Sequence, residues 1–231
     1  MGLTELSIVI PAFNEADRIG NTLEEVLRYC NFFIKKFEII VVDDGSTDNT
    51  IKIVRKHKVR ILKNKQNEGK GYSVREGMLH SKYKYILFTD ADLSTPISDI
   101  VKLEKHIDKY DVVFGSRNLF SSKRLIKQGI LRRVAGQIYP FFVNHILGLN
   151  YKDTQCGFKL FKKRVIIPLF GQQQINGFGF DGEIFYLAKK QNIRCKEVGV
   201  RWNNVGGSKV SLFKDSIKMF VTLFKIRRLH K

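Results

Sequence analysis

Two aspartates one residue apart, Asp90 and Asp92, follow Tyr85-Ile86-Leu87-Phe88-Thr89, a short apolar run that reads as a buried strand. A strand that ends in Asp90-Ala91-Asp92 and then Leu93-Ser94-Thr95-Pro96 puts both carboxylates at its carboxyl edge. In an open α/β sheet that edge is where ligands bind. Oxygen-only donors at this spacing suit a hard divalent cation, Mg2+ or Mn2+, which completes its shell with phosphate oxygens and water. The plainer alternative makes Asp92 a cap of the next helix and Asp90 a solvated turn acid. The same event occurs upstream: residues 37–42 form an apolar run that ends in Asp43-Asp44 before Gly45-Ser46-Thr47-Asp48. Residues 6–10 likewise run into Pro11-Ala12-Phe13-Asn14-Glu15. Taken singly, Asn14 and Ser46 read as helix N-caps and Gly45 as a turn glycine. Acids arriving at successive strand ends point instead to one shared site.

Such a site needs a scaffold that brings strand ends together, and the chain has the grammar for it. Ile19, Leu23, Val26, Leu27 and Cys30 form an apolar stripe at helical spacing after the first strand. A helix is expected from about Ser46, a short strand over 59–63, and a helix carrying Val74 and Met78 after Gly69-Lys70-Gly71. Ile97, Ile100, Val101 and Ile107 mark the helix after the double-acid turn, and Asp111-Val112-Val113-Phe114-Gly115 leads as a strand to Ser116-Arg117. Alternating strands and helices predict an α/β fold, a mostly parallel Rossmann-like sheet with helices on both faces. Gly69 and Gly71 fit neither a dinucleotide fingerprint nor a Walker-A loop.

Composition bounds the answer. At 231 residues, 43% of them apolar and 18 of them Phe, the chain is expected to form a single domain over 1–231. Its three cysteines, Cys30, Cys156 and Cys195, are widely spaced and read as reduced thiols. No signal peptide is expected, and no stretch reaches the roughly 18 apolar residues of a membrane span. Charge divides unevenly: residues 1–115 carry 18 Lys/Arg against 17 Asp/Glu, residues 116–231 carry 23 against 5, and the whole is +19. A basic half beside a neutral one predicts a polyanionic partner: nucleic acid, a negative membrane surface or a phosphorylated substrate.

Pro11-Ala12-Phe13-Asn14-Glu15, Val42-Asp43-Asp44-Gly45-Ser46 and Asp90-Ala91-Asp92, in this order and spacing, resemble the family 2 glycosyltransferases of GT-A fold. Three further runs narrow the likeness: Asp153-Thr154-Gln155-Cys156-Gly157-Phe158-Lys159-Leu160-Phe161, Phe180-Asp181-Gly182-Glu183, and Val200-Arg201-Trp202 with Gly207-Ser208-Lys209. Together these resemble the dolichyl-phosphate (polyprenyl-phosphate) β-glucosyltransferases over about residues 6–228. The resemblance implies a nucleotide-binding half, 1–117, and an acceptor- and membrane-facing half, 118–231. It gives Pro11, Phe13, Glu15 and Asp44 to the nucleoside, with Asp44 facing the base. Asp90, Ala91 and Asp92 would meet the diphosphate, the two acids holding Mg2+ or Mn2+, and Arg117 and Lys209 would sit against phosphate oxygens. Asp92, Arg117 and Asp153 are the catalytic candidates, Asp153 either as an orienting base or as a structural turn acid. Asp181 and Glu183 open a helix, where acids answer the helix dipole as readily as they position an acceptor. Mannosyl relatives tend to carry an arginine six positions before the lysine; here that position is Asn203, which favours a UDP-sugar over GDP-mannose.

The implied reaction is inverting transfer of glucose from UDP-glucose to dolichyl or polyprenyl phosphate, with GDP-mannose or another UDP-sugar as the alternative donor. A basic nucleic-acid-binding protein is the non-enzymatic alternative; it explains the charge but not the acidic strand ends, so nucleic acid is not expected as a partner. Two segments read as interfacial helices: 130–149, interrupted by Arg132, Arg133, Gln137, Asn144 and His145, and a basic amphipathic stretch carrying Phe213, Ile217, Phe220, Val221 and Phe224. The expected location is cytoplasmic, attached peripherally to the cytoplasmic face of a membrane.

Overall fold

The computed structural model describes residues 2–124, 130–203 and 214–231, and only the backbone course of 123–124, 130–138 and 214–217. The first half alternates as its periodicity demands: β1 (Glu5–Ala12), α1 (Ile19–Phe33), β2 (Lys36–Asp43), α2 (Thr50–Val54), β3 (Arg60–Lys63), α3 (Lys70–Leu79) and β4 (Tyr85–Thr89). A single 3-10 turn, Ile97–Asp99, leads into α4 (Ile100–Ile107) and then β5 (Val112–Ser116). The second half adds β6 (Lys123–Arg124), α5 (Ile130–Leu147), β7 (Phe158–Lys162), α6 (Ile166–Phe170), α7 (Phe180–Lys190), β8 (Cys195–Gly199), β9 (Arg201–Trp202) and α8 (Lys214–Leu229).

Strands from both halves make one seven-stranded sheet, in the order β3-β2-β1-β4-β7-β5-β8, and β6 pairs with β9 apart from it. All neighbours are parallel except β7, which runs antiparallel to β4 and β5. Both faces are covered, which is why β1, β2 and β4 read as unbroken apolar runs. Leu6, Ile8, Ile10, Val41 and Leu87 pack on one face with Leu23 and Val26 of α1 and Leu103 of α4. Val9, Val42, Ile86 and Phe88 pack on the other with Val74 and Met78 of α3, Phe180 and Phe185 of α7, and Leu223 and Ile226 of α8. The chain winds outward from β1 to β2 and β3 on one side and to β4 on the other, so a ligand crevice opens at the carboxyl ends of β1 and β4. The reversed β7 brings its amino end, Phe158, opposite Thr89 at the carboxyl end of β4. Residues 153–157 therefore reach the edge that carries Asp90 and Asp92. No helix among the described residues is long and apolar enough to cross a membrane.

Candidate active site

The loops after β1 and β2 are stitched together by short polar side chains. Asn14 adopts a left-handed backbone (φ 53°), and its side-chain oxygen accepts the Thr47 N–H at 2.8 Å. The Asn14 N–H donates to Ser46 Oγ at 2.9 Å, the Glu15 N–H to Thr50 Oγ1 at 2.7 Å and the Ala16 N–H to Asp48 Oδ2 at 3.1 Å. Asn14 and Ser46 are thus loop clasps, not helix caps. Pro11 lies within β1 opposite Val42, Phe13 is half-buried beside it, and the Glu15 carboxylate is paired with Arg18. Asp44, 3% exposed, accepts hydrogen bonds from Asn64 Nδ2 (2.7 Å), Glu68 N (3.0 Å) and Gly69 N (2.9 Å). It pins the loop leading into α3, where Gly69 takes a φ of 104° open to glycine alone.

At the end of β4 the turn is held by Thr22, whose Oγ1 donates to the Ala91 carbonyl at 2.6 Å. Asp92 Oδ1 accepts the Ser94 N–H at 2.9 Å, closing a local turn and leaving the next helix uncapped by it. Burial first, and then the neighbouring Asp90, push the Asp92 carboxyl above the usual carboxylate range. Asp90 Oδ1 receives Lys70 Nζ at 2.7 Å from the start of α3. Its other oxygen abuts Gly157: a side chain there would overlap the carboxylate, so glycine keeps this space open. Two carboxylates side by side, in a space no Cβ fills, fit a divalent cation. Among the described residues no third His, Cys, Asp or Glu joins them in a cluster, so phosphate and water oxygens would complete the shell.

Asp153 and Arg117 meet across the same edge. Asp153 has no solvent exposure and accepts four hydrogen bonds: Arg117 N (2.9 Å), Nε (2.7 Å) and Nη2 (2.9 Å), and Gln155 N (3.1 Å). Its loop is fixed from β8, where the Glu197 carboxylate accepts the Lys152 and Asp153 N–H groups at 2.9 and 2.8 Å. The Arg117 guanidinium lies 5.8 Å from the Trp202 ring. Arg201 bonds Asp99 through its backbone N–H (2.7 Å) and Nε (2.8 Å), and the Asn203 N–H reaches the Ser94 carbonyl at 2.7 Å. The chain thus leaves β9 beside the double-acid turn. Lys209, with Gly207 and Ser208, lies outside the described residues.

The structure brings Pro11, Phe13, Glu15, Asp44, Asp90, Ala91, Asp92, Arg117 and Asp153 to one edge. It adds residues that sequence reasoning passed over. Lys70 stands between two glycines that match no phosphate loop, so nothing marked it. Gly157 sat unread in the run 153–161, although a glycine there signals close approach. Glu197 looks like any strand acid until its partners are seen. Glu183 turns out to brace the fold, with its two oxygens taking the Gln174 and Ile175 N–H groups (2.9 and 2.8 Å) and His230 at 2.6 Å. Asp181 pairs with the buried Lys159 at 2.7 Å.

Comparison with known proteins agrees with this architecture. The sequence pattern described as "Glycosyl transferase family 2" matches residues 7–170. Proteins named dolichyl-phosphate beta-glucosyltransferase are 39% identical in Dictyostelium discoideum (96% of this chain, 73% of that protein) and 38% in Saccharomyces cerevisiae (96% and 74%). The human protein of that name is 32% identical (96% and 75%). The fold is also that of Mycobacterium tuberculosis glucosyl-3-phosphoglycerate synthase, with a TM-score of 0.71 at 18% identity over 96% of this chain and 80% of the other. A complex of that enzyme with Mn2+, UDP-glucose and phosphoglyceric acid gives 0.68 at 16% identity over 98% and 80%. An acid pair at a GT-A-like sheet edge and relatives at this identity lead to one conclusion: the chain is a glycosyltransferase and belongs to family 2.

Proposed function

We propose that this enzyme transfers glucose, with inversion, from UDP-glucose to a dolichyl or other polyprenyl phosphate. The observation that carries the reading is the convergence, at one sheet edge, of an acid pair and a cation held by a saturated carboxylate. The names of the relatives at 32–39% identity supply the acceptor class and the sugar. The fold neighbour crystallised with Mn2+ and UDP-glucose supports the donor and the metal class.

Each residue then has a task. Pro11, Phe13 and Glu15 border the nucleoside, and Asp44 shapes the base side by holding 64–69 in place. Asp90 and Asp92, with Ala91 between them, would hold Mg2+ or Mn2+, which when bound would neutralise the diphosphate leaving group. Arg117 meets phosphate oxygens, and Lys209 is assigned beside it by resemblance. The acceptor is a phosphate monoester with a second pKa near about 6, so it is largely ionised at neutral pH and needs no strong base. One of its oxygens attacks the anomeric carbon from the face opposite UDP, the bond from that carbon to the diphosphate oxygen breaks, and UDP leaves with the electron pair. The difficulty is bringing two anions together, which Arg117 and the basic second half serve. With four donors on its carboxylate, Asp153 is the orienter of Arg117 and not a base. Attachment to the cytoplasmic face of a membrane would be peripheral, through α5 and α8.

The test is a panel of UDP- and GDP-sugars with a polyprenyl phosphate and Mg2+ or Mn2+, scored for glycolipid. UDP-glucose should give product with inverted configuration. Asp92→Ala should lose at least 100-fold in turnover while keeping its melting temperature within a few degrees, and EDTA should act the same way reversibly. Preference for GDP-mannose would change the donor, and full activity of Asp92→Ala in chelator would remove the metal assignment.

A further inference from the structure

At the edge of the sheet opposite the acid pair, positive charge gathers around one buried carboxylate. Asp111 stands immediately ahead of β5, Lys162 ends β7, Arg164 lies in the 3-10 turn Lys163–Val165 that follows, and Arg194 precedes β8. These strands are neighbours, in the order β7-β5-β8. Backbone hydrogen bonds hold their ends level: the Lys162 N–H donates to the Asp111 carbonyl at 2.9 Å, and the Asp111 N–H to the Arg194 carbonyl at 2.8 Å. Because β7 is reversed, its carboxyl end joins the amino ends of the other two, and three basic residues meet on one short stretch of edge.

Asp111 does not use all three. Its carboxylate accepts Arg164 Nε at 3.1 Å together with Nη2, and the backbone N–H of Arg194 at 3.3 Å. Lys162 Nζ and Arg194 Nε stop 3.8 Å away, beyond hydrogen-bond reach. The Lys162 ammonium donates to the Asp108 carbonyl at 3.0 Å, while the Arg194 guanidinium makes no hydrogen bond among the described residues. Three cations against one carboxylate leave two positive charges. Both arginines reach solvent, with side chains 63% and 61% exposed. The crowding has a cost, since burial and the two guanidinium groups push the Lys162 ammonium below its ordinary value despite Asp111. Tying three strand ends together needs no such surplus, and exposed ion pairs add little stability. An anion of matching charge would relieve the repulsion.

We propose that Lys162, Arg164 and Arg194 form a binding site for a phosphate group, remote from the glycosyl-transfer site. A phosphate monoester carries about −1.5 to −2 at pH 7, which matches the surplus, and it offers three strong acceptor oxygens. Guanidinium forks suit such a group because each can donate two parallel bonds to it. Asp111 is the positioning residue that holds Arg164. The site and Arg117 stand at opposite ends of β5, roughly 20 Å apart at the rise of a strand, so an occupant would touch no reacting group.

The experiment titrates the full chain, labelled with 15N, with inorganic phosphate and follows the Nε–H signals of Arg164 and Arg194, assigned from single variants. Both should move along one saturable curve. Arg194→Gln should weaken phosphate at least fivefold, read at Arg164, and should keep the melting temperature because it removes no hydrogen bond. Lys35→Gln with Lys36→Gln removes two exposed charges from the start of β2 on the same edge and should stay within twofold of wild type. Vesicles of phosphatidylcholine with and without phosphatidic acid separate the two sources of phosphate. If Arg194→Gln also reduces sedimentation with the phosphatidic acid vesicles, the site takes a lipid headgroup; if it weakens only free phosphate, the ligand is a soluble phosphate. No saturable movement at either arginine, or an Arg194→Gln affinity equal to wild type, overturns the site. An equal loss in the Lys35 and Lys36 variant overturns it too, by showing a diffuse attraction of anions to a basic edge.

Discussion

Arg117 owes its direction to Asp153, and the pair separates catalysis from structure at the level of single side chains. Burial alone would raise the Asp153 carboxyl, but the Arg117 charge and its three hydrogen bonds overcome that and hold it below the usual carboxylate range. Its stabilising effect is therefore complete above the unfolded value of about 3.9 and disappears as pH falls through the lower folded value. Stability should decline on this account only below about pH 4, and Asp153→Asn should flatten that decline. The same variant keeps the side chain's shape but releases the guanidinium, so kcat should fall about 10- to 100-fold, with no movement of the acid limb of the rate profile. A shifted limb would make Asp153 a base. Sequence identified this carboxylate but left its role open, because residue type does not say which donors surround it. For the same reason Lys70 went unseen: its meaning lies in Asp90, twenty positions away, and in no local pattern.

Elements were legible where one period ran long enough. The stripe of Ile19, Leu23, Val26 and Cys30 is the buried face of α1, and the acid-ended strands are β2 and β4. The direction of β7 was not legible: five residues, Phe158–Lys162, read alike in either sense, and only pairing with β4 and β5 fixes it. That direction is what delivers Gly157 to Asp90. Gly157→Ala should therefore abolish metal-dependent transfer, by at least 100-fold, with a far smaller effect on melting temperature, since the clash is with a partly exposed carboxylate and not with the core. Retained activity, checked across a Mn2+ titration, would show that Asp90 can turn away and that its present orientation is not required.

For the molecule as a whole, the excess charge in 116–231 coincides with apolar side chains that α5 and α8 leave in the open. Phe141 is 65% exposed, Val221 59% and Phe224 53%, beside exposed Lys218, Lys225, Arg227 and Arg228. The two helices are joined through Phe142 and Phe220, with ring centroids 4.9 Å apart, so these apolar groups share one surface. Each basic residue near an anionic bilayer contributes about 1 kcal/mol, screened over roughly 10 Å at 0.1 M salt. The protein should sediment with anionic vesicles at low salt and come off at high salt. Val221→Ser with Phe224→Ser should weaken this at least tenfold without touching UDP affinity; unchanged sedimentation would leave α8 a packing element. The reversed strand also sets the order of folding. β5 has no neighbour among earlier strands, because β7 must first enter between it and β4. On the ribosome β1 to β4 can assemble as the chain emerges, while β5 waits with both edges unpaired through the more than forty residues that separate Ser116 from Phe158. A chain stopped within that interval presents bare strand edges, so the segment up to β5 should not separate as a module, and the nascent protein is most exposed to aggregation just before β7 and β8 are made.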